Sequence, residues 1–121
     1  MIRCFVYGTL LSSEPNHHVL RGSRCLGPAR TPPRFTLVNL GAFPGMLAEG
    51  STTVVGEVYE VDDDVLAALD RLEGHPRFYV RAPIVLAGWL RAETYFFPTV
   101  RAMGQSAITS GDWRSWRRRS P

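Results

Sequence analysis

Residues 53–74 read TVVGEVYEVDDDVLAALDRLEG, and this stretch decides the fold because it joins the clearest strand pattern to the clearest helix pattern. The β-branched and aromatic residues at 53–61 predict a strand, with Gly56 at a bulge or a corner of a barrel. The following residues 62–73 predict a helix, because Asp62 can cap its first free amides and favours the positive end of the helix dipole. We therefore expect a strand that is followed at once by a helix.

The apolar residues of this helix fall on one side of it. At about 100° per residue, with Leu66 set at 0°, Val65 lies at about 260°, Leu69 at about 300° and Leu72 at about 240°. These four residues form the stripe that must face the core. Glu73 lies at about 340°, inside the stripe, whereas four other charged residues are predicted to face solvent. Those four residues are Asp63, Asp64, Asp70 and Arg71.

Glu73 is therefore predicted to point its carboxyl group toward the core, next to Gly74, which predicts the end of the helix. An unpaired buried carboxylate is costly, so the site should supply a partner or raise the pKa of the acid. A raised carboxyl pKa is what a general base needs near neutral pH. Two other interpretations stay open: the side chain turns outward at the last turn, or it pairs with Arg77 or Arg81.

Shorter patterns elsewhere predict several strands and little further helix. We predict strands at 2–7, 25–30, 34–40 and 46–48, a hairpin at 78–90 and 92–97 with Pro83 at an edge or bulge, a short helix at 17–20 capped by Asn16, and a terminal helix after residue 110. Many short strands with one long helix predict an α+β protein. A small, mostly antiparallel β-barrel with flanking short helices, or a strongly curled sheet, fits this pattern.

The 121 residues have the length and composition of one folded domain. All 14 basic residues are arginines, and four of them lie close to the end of the chain: Arg114, Arg117, Arg118 and Arg119. Removing these four from the formal net charge of +3 leaves −1 for residues 1–113. We predict a single domain at 1–113 and an Arg-rich tail at 114–121 that is solvated and frayed. Nucleic-acid binding through the tail is the weaker alternative, because the body carries no basic surplus.

The sequence predicts a cytoplasmic protein without a membrane partner or a bound metal. No segment approaches the ~20 apolar residues of a membrane helix, and the N-terminus lacks the parts of a signal peptide. Cys4 and Cys25 are expected to be reduced thiols. Neither they nor the adjacent His17 and His18 have the spacing of metal ligands.

A second candidate site follows the first predicted strand, which the chain leaves through Tyr7, Gly8, Thr9 and Leu10. Such a turn can direct successive backbone N–H groups at one point and bind a carboxylate, a phosphate or a developing oxyanion. The loop is not a P-loop, because the Gly-Lys-Ser/Thr ending is missing. An ordinary turn remains the alternative.

Five motifs occur in an order that resembles the γ-glutamylcyclotransferase-like family, in particular its γ-glutamylamine cyclotransferase and AIG2-like branch. The resemblance spans roughly residues 3–116, and the first and fourth motifs are fairly specific as a pair. The motifs are FVYGTLL at 5–11, GAFPG at 41–45, VVGEVYEVD at 54–62, LDRLEGHPRFYVR at 69–81 and SGDW at 110–113.

The resemblance implies a small β-barrel with flanking helices and a cofactor-independent enzyme. Such an enzyme converts a γ-glutamyl-amine or γ-glutamyl-amino acid into 5-oxoproline and a free amine, without a metal. Glu73 matches the family's catalytic glutamate, and the loop residues 7–10 match its substrate-binding loop. Tyr79 matches an aromatic residue near the pocket. The implied partner is a small γ-glutamyl substrate, and the implied state is a monomer or weak homodimer. A non-catalytic binding or regulatory module for a γ-glutamyl or amino-acid-like ligand is the alternative.

Overall fold

The computed structural model describes residues 1–119 and shows seven strands, two α-helices and two 3₁₀ helices within them. The strands are β1 (Ile2–Val6), β2 (Arg24–Arg30), β3 (Phe35–Asn39), β4 (Pro44–Thr52), β5 (Val55–Val61), β6 (Val80–Val85) and β7 (Arg91–Phe96). The helices are α1 (Asp63–Glu73) and α2 (Trp113–Arg119), and the 3₁₀ helices are His17–Leu20 and Thr99–Ala102. Ser120 and Pro121 of the predicted tail lie outside the described residues.

The strands form one mixed sheet in the order β2-β5-β1-β7-β4-β3, with β6 paired to β7. The ladders β1/β5, β2/β5, β3/β4 and β6/β7 are antiparallel. The two parallel contacts are short, with Cys4 opposite Glu93 and Met46 opposite Phe96. The α+β class is confirmed, but the predicted barrel is not. Closure requires the outermost strands to pair, and within residues 1–119 no ladder joins β2 to β3.

Gly56 allows β1 and β5 to approach each other closely. A Cβ atom at this position would lie 2.1 Å from the backbone oxygen of Val6. The predicted bulge is not found here, because the register of β1 and β5 runs without a shift. The irregularity on this side of the sheet lies instead between Cys25 and Gly27 of β2.

The helix α1 confirms the prediction from residues 62–73. Asp62 caps it by accepting a hydrogen bond from the backbone N–H of Val65 at 2.8 Å. Leu66 and Leu69 are buried in the core, as their place in the stripe predicts. Leu72, which belongs to the same predicted stripe, remains 41% exposed. The C-terminal turn of α1 therefore lies at the edge of the core.

The predicted terminal helix is present as α2, and it packs onto the domain. Trp113 is buried and stacks on Trp116 at a ring distance of 5.3 Å. Arg114 donates to the backbone oxygen of Ser12 at 3.0 Å, and the Arg117 Nε donates to Glu14 at 3.0 Å. The prediction of a solvated, frayed end is therefore wrong for these two arginines. A count of charges does not predict that these arginines are bound, because their acceptors Ser12 and Glu14 lie about a hundred residues away in the chain.

No helix in the described chain is long and apolar enough to cross a membrane.

Candidate active site

One cavity of about 200 Å³ lies between the loop that follows β1 and the C-terminal end of α1. All six residues that the sequence singled out line it: Tyr7, Gly8, Thr9, Leu10, Glu73 and Tyr79. The long-range packing of α1 against the loop thus brings together two segments that are more than sixty residues apart in the chain. The cavity is further lined by residues that were not predicted as site residues, among them Asn16, Phe43, Pro44, Leu72, Phe78 and Tyr95.

Glu73 is the last residue of α1, and the chain turns sharply after it. Gly74 ends the helix in the left-handed conformation with φ of 65°, and its N–H donates to the backbone oxygen of Arg71 at 3.2 Å. The backbone oxygen of Glu73 accepts from the N–H of Tyr79 at 3.1 Å, which fixes the return of the chain. These contacts anchor the backbone on both sides of the carboxyl group.

The Glu73 carboxyl group is an isolated acid. Within residues 1–119 it has no hydrogen-bond donor and no cation within ion-pair distance. Burial raises its pKa from 4.5 to about 7, because the charged form loses water without gaining a partner. The alternative pairing with Arg77 or Arg81 is therefore not found.

Arg81 is neutralised by other carboxylates. Its Nε donates to Asp70 Oδ1 at 2.9 Å, and its Nη1 donates to Glu93 at 2.9 Å. The Tyr95 hydroxyl donates to the same Asp70 oxygen at 2.7 Å. Burial acts to raise the pKa of Asp70, but the hydrogen bond from Tyr95 and the pairing with Arg81 outweigh it and lower the pKa. The prediction that Asp70 simply faces solvent is wrong, because β6 and β7 bring partners to it.

The loop after β1 lines the cavity and contains backbone donors that have no partner in the described residues. Among the residues that the structure describes, none accepts a hydrogen bond from the N–H of Gly8, Thr9 or Leu10. The carbonyl groups of the same loop are occupied: Gly8 accepts from the Leu11 N–H at 3.1 Å, and Thr9 accepts from the Asn16 N–H at 2.9 Å. Since a peptide group is planar and trans, fixing these carbonyls also fixes the opposite direction of the next N–H.

Two side chains hold this loop in place. Asn16 was predicted to cap a short helix, but its side chain instead donates to the Thr9 hydroxyl at 3.0 Å. The ring Nδ1 of His17 lies 3.0 Å from the backbone oxygen of Leu10, and a carbonyl only accepts, so this nitrogen carries the proton. Gly8 itself packs on Pro44, where a Cβ atom would come within 2.7 Å of the proline ring.

The two tyrosines that line the cavity use their hydroxyl groups to bind the backbone. Tyr7 donates to the oxygen of Tyr95 at 2.6 Å and accepts from the N–H of Met46 at 3.0 Å. Tyr79 donates to the oxygen of Pro44 at 2.6 Å. Burial raises the pKa of both phenols, which therefore stay neutral near pH 7. Both residues build the walls of the site, and their hydroxyls are already engaged.

An aromatic cluster forms the remaining wall. Phe78 meets Tyr79 edge-on at 5.2 Å, and Phe43 meets Phe78 edge-on at 5.9 Å. Arg101 covers the outer side of Phe78 at 5.6 Å and donates to its backbone oxygen at 2.8 Å. The GAFPG motif at 41–45 contained the signal for Phe43 and Pro44. No local pattern in the sequence predicts that these residues lie beside Glu73.

The site therefore places a carboxyl group and three backbone amides without an acceptor among the described residues around one cavity. The carboxyl group of Glu73 can take and return a proton near neutral pH, and the free amides at 8–10 can bind a carboxylate or a developing oxyanion. No group of three His, Cys, Asp or Glu side chains in residues 1–119 is arranged to hold a metal ion. The arrangement suits proton transfer beside a stabilised negative charge.

Several relatives share almost the whole chain. A protein of Vibrio cholerae, named as a candidate gamma-glutamylcyclotransferase, is 44% identical over 112 residues, which cover 90% of this chain and 92% of the relative. The gamma-glutamylcyclotransferase family protein YtfP of Escherichia coli is 34% identical over 112 residues, covering 93% of this chain and 96% of the relative.

Solved structures agree with these relatives in fold. The solution structure of E. coli ytfP superposes with a TM-score of 0.75 at 34% identity and covers 96% of this chain and 99% of its own. The crystal structure of an AIG2-like protein from Mus musculus superposes with a TM-score of 0.71 at 31% identity, covering 79% of this chain and 76% of its own. The family model described as gamma-glutamyl cyclotransferase, AIG2-like, matches residues 4–115. The chain therefore belongs to the gamma-glutamyl cyclotransferase, AIG2-like family.

Proposed function

We propose that this protein cyclises a γ-glutamyl-amine or γ-glutamyl-amino acid to 5-oxoproline and releases the amine, with Glu73 as general base and acid. The single observation that carries the proposal is the shared cavity, which is lined both by an unpaired carboxyl group with a pKa of about 7 and by three residues whose backbone amides have no acceptor among the described residues. Membership of the family supports this class of substrate.

The reaction begins with a proton transfer at the substrate's α-amine. This amine is mostly protonated at neutral pH and cannot attack, so the Glu73 carboxylate takes one proton from it. The free amine then forms a bond to the γ-carbonyl carbon, which closes a five-membered ring and places a negative charge on the carbonyl oxygen. The step is intramolecular, and holding the two groups in position can contribute up to about 7–11 kcal/mol.

The tetrahedral intermediate collapses to product when the old amide bond breaks, and the five-membered ring is kept. The ring nitrogen loses a second proton, and Glu73 gives its proton to the departing nitrogen as the carbon–nitrogen bond breaks. Of the two protons that leave the attacking nitrogen, one reaches the released amine through Glu73, and the other passes to water or to that amine. A carboxyl group whose pKa is close to the working pH can serve in both directions.

The amides of Gly8, Thr9 and Leu10 hold the negative charge in this scheme. They bind the substrate's α-carboxylate, the oxyanion that forms at the γ-carbonyl, or both in turn. Amide donors that are fixed before the reaction stabilise such an oxyanion without reorganising, and one donor of this kind contributes roughly 3 kcal/mol in other enzymes. The aromatic wall excludes water from the ring-closing step.

The test is Glu73→Gln, which keeps the size of the side chain but cannot take a proton. Wild-type protein and variant are incubated with a panel of γ-glutamyl-amines and γ-glutamyl dipeptides, and 5-oxoproline is measured by mass spectrometry. We expect release by the wild type and a loss of at least about a thousandfold in the variant. Glu49→Gln, an exposed site on β4, is the matched control and should keep full activity.

Two outcomes would contradict the proposal. Unchanged turnover by Glu73→Gln would remove the acid–base role. Silence of the wild type across the whole panel, together with binding of a γ-glutamyl compound by calorimetry, would indicate the non-catalytic binding module instead.

A further inference from the structure

Glu14 is a buried acid that follows residues 8–10, the amide loop, by four positions in the chain. Its hydrogen-bond partners come from α2. The Glu14 side chain is 2% exposed. Its carboxylate accepts from the indole nitrogen of Trp113 at 3.1 Å and from the Arg117 Nε at 3.0 Å, and a second Arg117 nitrogen completes a paired contact. Within residues 1–119 all donors to this carboxylate belong to α2. Because an uncompensated buried carboxylate is strongly unfavourable, Glu14 is stable in this place only when α2 is docked.

Arg114, about one turn before Arg117 on α2, makes a second contact with a carboxylate. The Glu57 carboxylate on β5 accepts from the backbone N–H of Ser12 at 2.9 Å and from its hydroxyl at 2.7 Å. Arg114 donates to the Ser12 backbone oxygen and hydroxyl at 3.0 Å each, and it lies 3.5 Å from Glu57. Ser12 is therefore held between β5 and α2.

These contacts continue into the amide loop through backbone hydrogen bonds. The N–H of Glu14 donates to the oxygen of Leu11 at 3.0 Å, and the N–H of Leu11 donates to the oxygen of Gly8 at 3.1 Å. The Gly8 carbonyl and the Thr9 N–H belong to one planar peptide group, so the Leu11 contact sets the direction of that N–H. A shift of Ser12 and Glu14 would therefore turn a donor of the proposed anion site.

We propose that Arg114 and Arg117 are positioning residues, which hold the amide donors at 8–10 in their working direction by clamping residues 11–14. This inference rests on the proposed function, since it assigns the donors a part in that reaction. Neither arginine lines the cavity, so both act through the loop. Arg117 lies beyond the part of the chain that the family model matches, which ends at residue 115.

The first test compares Arg117→Gln with Arg118→Gln, a matched change on the same helix. Arg118 is exposed and has no hydrogen bond or ion pair within the described residues. We expect kcat/KM for 5-oxoproline release to fall about tenfold or more in Arg117→Gln, as for loss of a paired charged hydrogen bond, and to stay unchanged in Arg118→Gln. The pH midpoint of the rate should not move, because the clamp does not touch Glu73. A moved midpoint, or equal losses in both variants, would overturn the proposal.

The second test needs no turnover, and it separates the clamp from the proposed function. Amide hydrogen exchange is measured at Leu11, whose N–H holds the Gly8 carbonyl, and at Leu69 in the buried part of α1. We expect exchange at Leu11 to accelerate about tenfold or more in Arg117→Gln while Leu69 is unchanged. Equal exchange at Leu11 in wild type and variant, or an equal acceleration at Leu69, would contradict the clamp.

The two failures are distinguishable. A wild type that releases no 5-oxoproline overturns the proposed function, and the clamp is then decided by exchange alone. Should Arg117→Gln not fold, Arg117→Lys is measured in the same way, because it keeps the positive charge and loses the paired geometry. Faster exchange at Leu11 in Arg117→Lys than in the wild type, with exchange at Leu69 unchanged, supports the clamp. Exchange at Leu11 as slow as in the wild type, or an equal acceleration at Leu69, opposes it.

Discussion

Replacing Glu73 with Gln should stabilise the protein in alkaline solution and leave its stability almost unchanged in acid. The carboxyl group has a pKa of about 7 in the folded protein, against the ordinary value of 4.5. Below pH 4.5 it is protonated in both states, so it contributes no penalty. As the pH rises from 4.5 toward 7, the acid ionises in the unfolded chain but not in the folded one, and the free energy of unfolding of the wild type therefore falls. Above 7 the full penalty is present.

The size of this penalty follows from the difference between the two pKa values. At 1.36 kcal/mol per pKa unit, the difference corresponds to about 3 kcal/mol, and the partial exposure of the side chain reduces it to roughly 2–3 kcal/mol. Gln at 73 has the same shape and no charge, so the variant escapes the penalty. With a urea dependence of about 1–3 kcal/mol per molar, the unfolding midpoints should separate by roughly 1–3 M at pH 9.

Urea unfolding at pH 4.5, 6, 7, 8 and 9, followed by tryptophan fluorescence, measures this difference. Trp113 is buried and will report the loss of structure, whereas Trp89 is 88% exposed and gives a constant background. Glu49→Gln is the control, and its difference from wild type should not depend on pH. A difference between wild type and Glu73→Gln that stays constant from pH 4.5 to 9 would refute the reasoning, because it would mean that the carboxyl group is fully hydrated in the folded protein.

Three further outcomes are expected from the same geometry. The value of kcat/KM should rise about tenfold per pH unit below 7 and level off above it, as measured by initial rates of 5-oxoproline release, because only the Glu73 carboxylate can accept a proton; a flat profile would contradict this. Gly8→Ala should lower kcat/KM at least about tenfold while the thermal midpoint falls only modestly, because its Cβ atom would press on Pro44 and move the amide loop; wild-type rates would contradict this. Tyr79→Phe should lower the free energy of unfolding by about 1 kcal/mol, from loss of its bond to the Pro44 oxygen, and keep activity within about tenfold; complete loss of turnover in a folded variant would show that the hydroxyl takes part in the reaction.

The parts of the site that were predictable from the sequence are those that depend on local geometry. The 100° turn of a helix was sufficient to place Glu73 on the inner face of α1, because that periodicity does not depend on the rest of the fold. The glycine at the end of β1 likewise predicted a turn with directed amides. Neither pattern predicts the packing that brings the loop after β1 and the end of α1 to one cavity. Only the resemblance to the family predicted that the two segments belong to one site.

The parts that were not predictable depend on partners that lie far away in the chain. Asp70 falls on the polar side of α1 by periodicity, yet Arg81 and Tyr95 reach it from β6 and β7. Leu72 has the right position for the core stripe, but the helix ends at the cavity and leaves this side chain 41% exposed. Closure of a sheet also depends on pairing between distant edges, which the strand patterns do not specify.

The distribution of arginines distinguishes Glu73 from four other shielded acids of the described chain. Each of these four has an arginine partner: Glu14 with Arg117, Glu57 with Arg114, and both Asp70 and Glu93 with Arg81. Burial acts to raise the pKa of Glu57 and of Asp70 as well, but their hydrogen bonds and arginines lower both values. Three arginines thus compensate four shielded carboxylates in this fold.

Within the described residues, the Glu73 carboxyl group has no arginine partner and no hydrogen-bond donor, although Arg81 follows only eight residues later. Two carboxylates already neutralise that arginine, so it cannot lower the pKa of Glu73. The resulting cost of roughly 2–3 kcal/mol is a large part of the net stability of a domain of this size. Such a cost at a residue that lines a cavity supports the proton transfer proposed for Glu73, since a leucine or glutamine would fill the same space without the penalty.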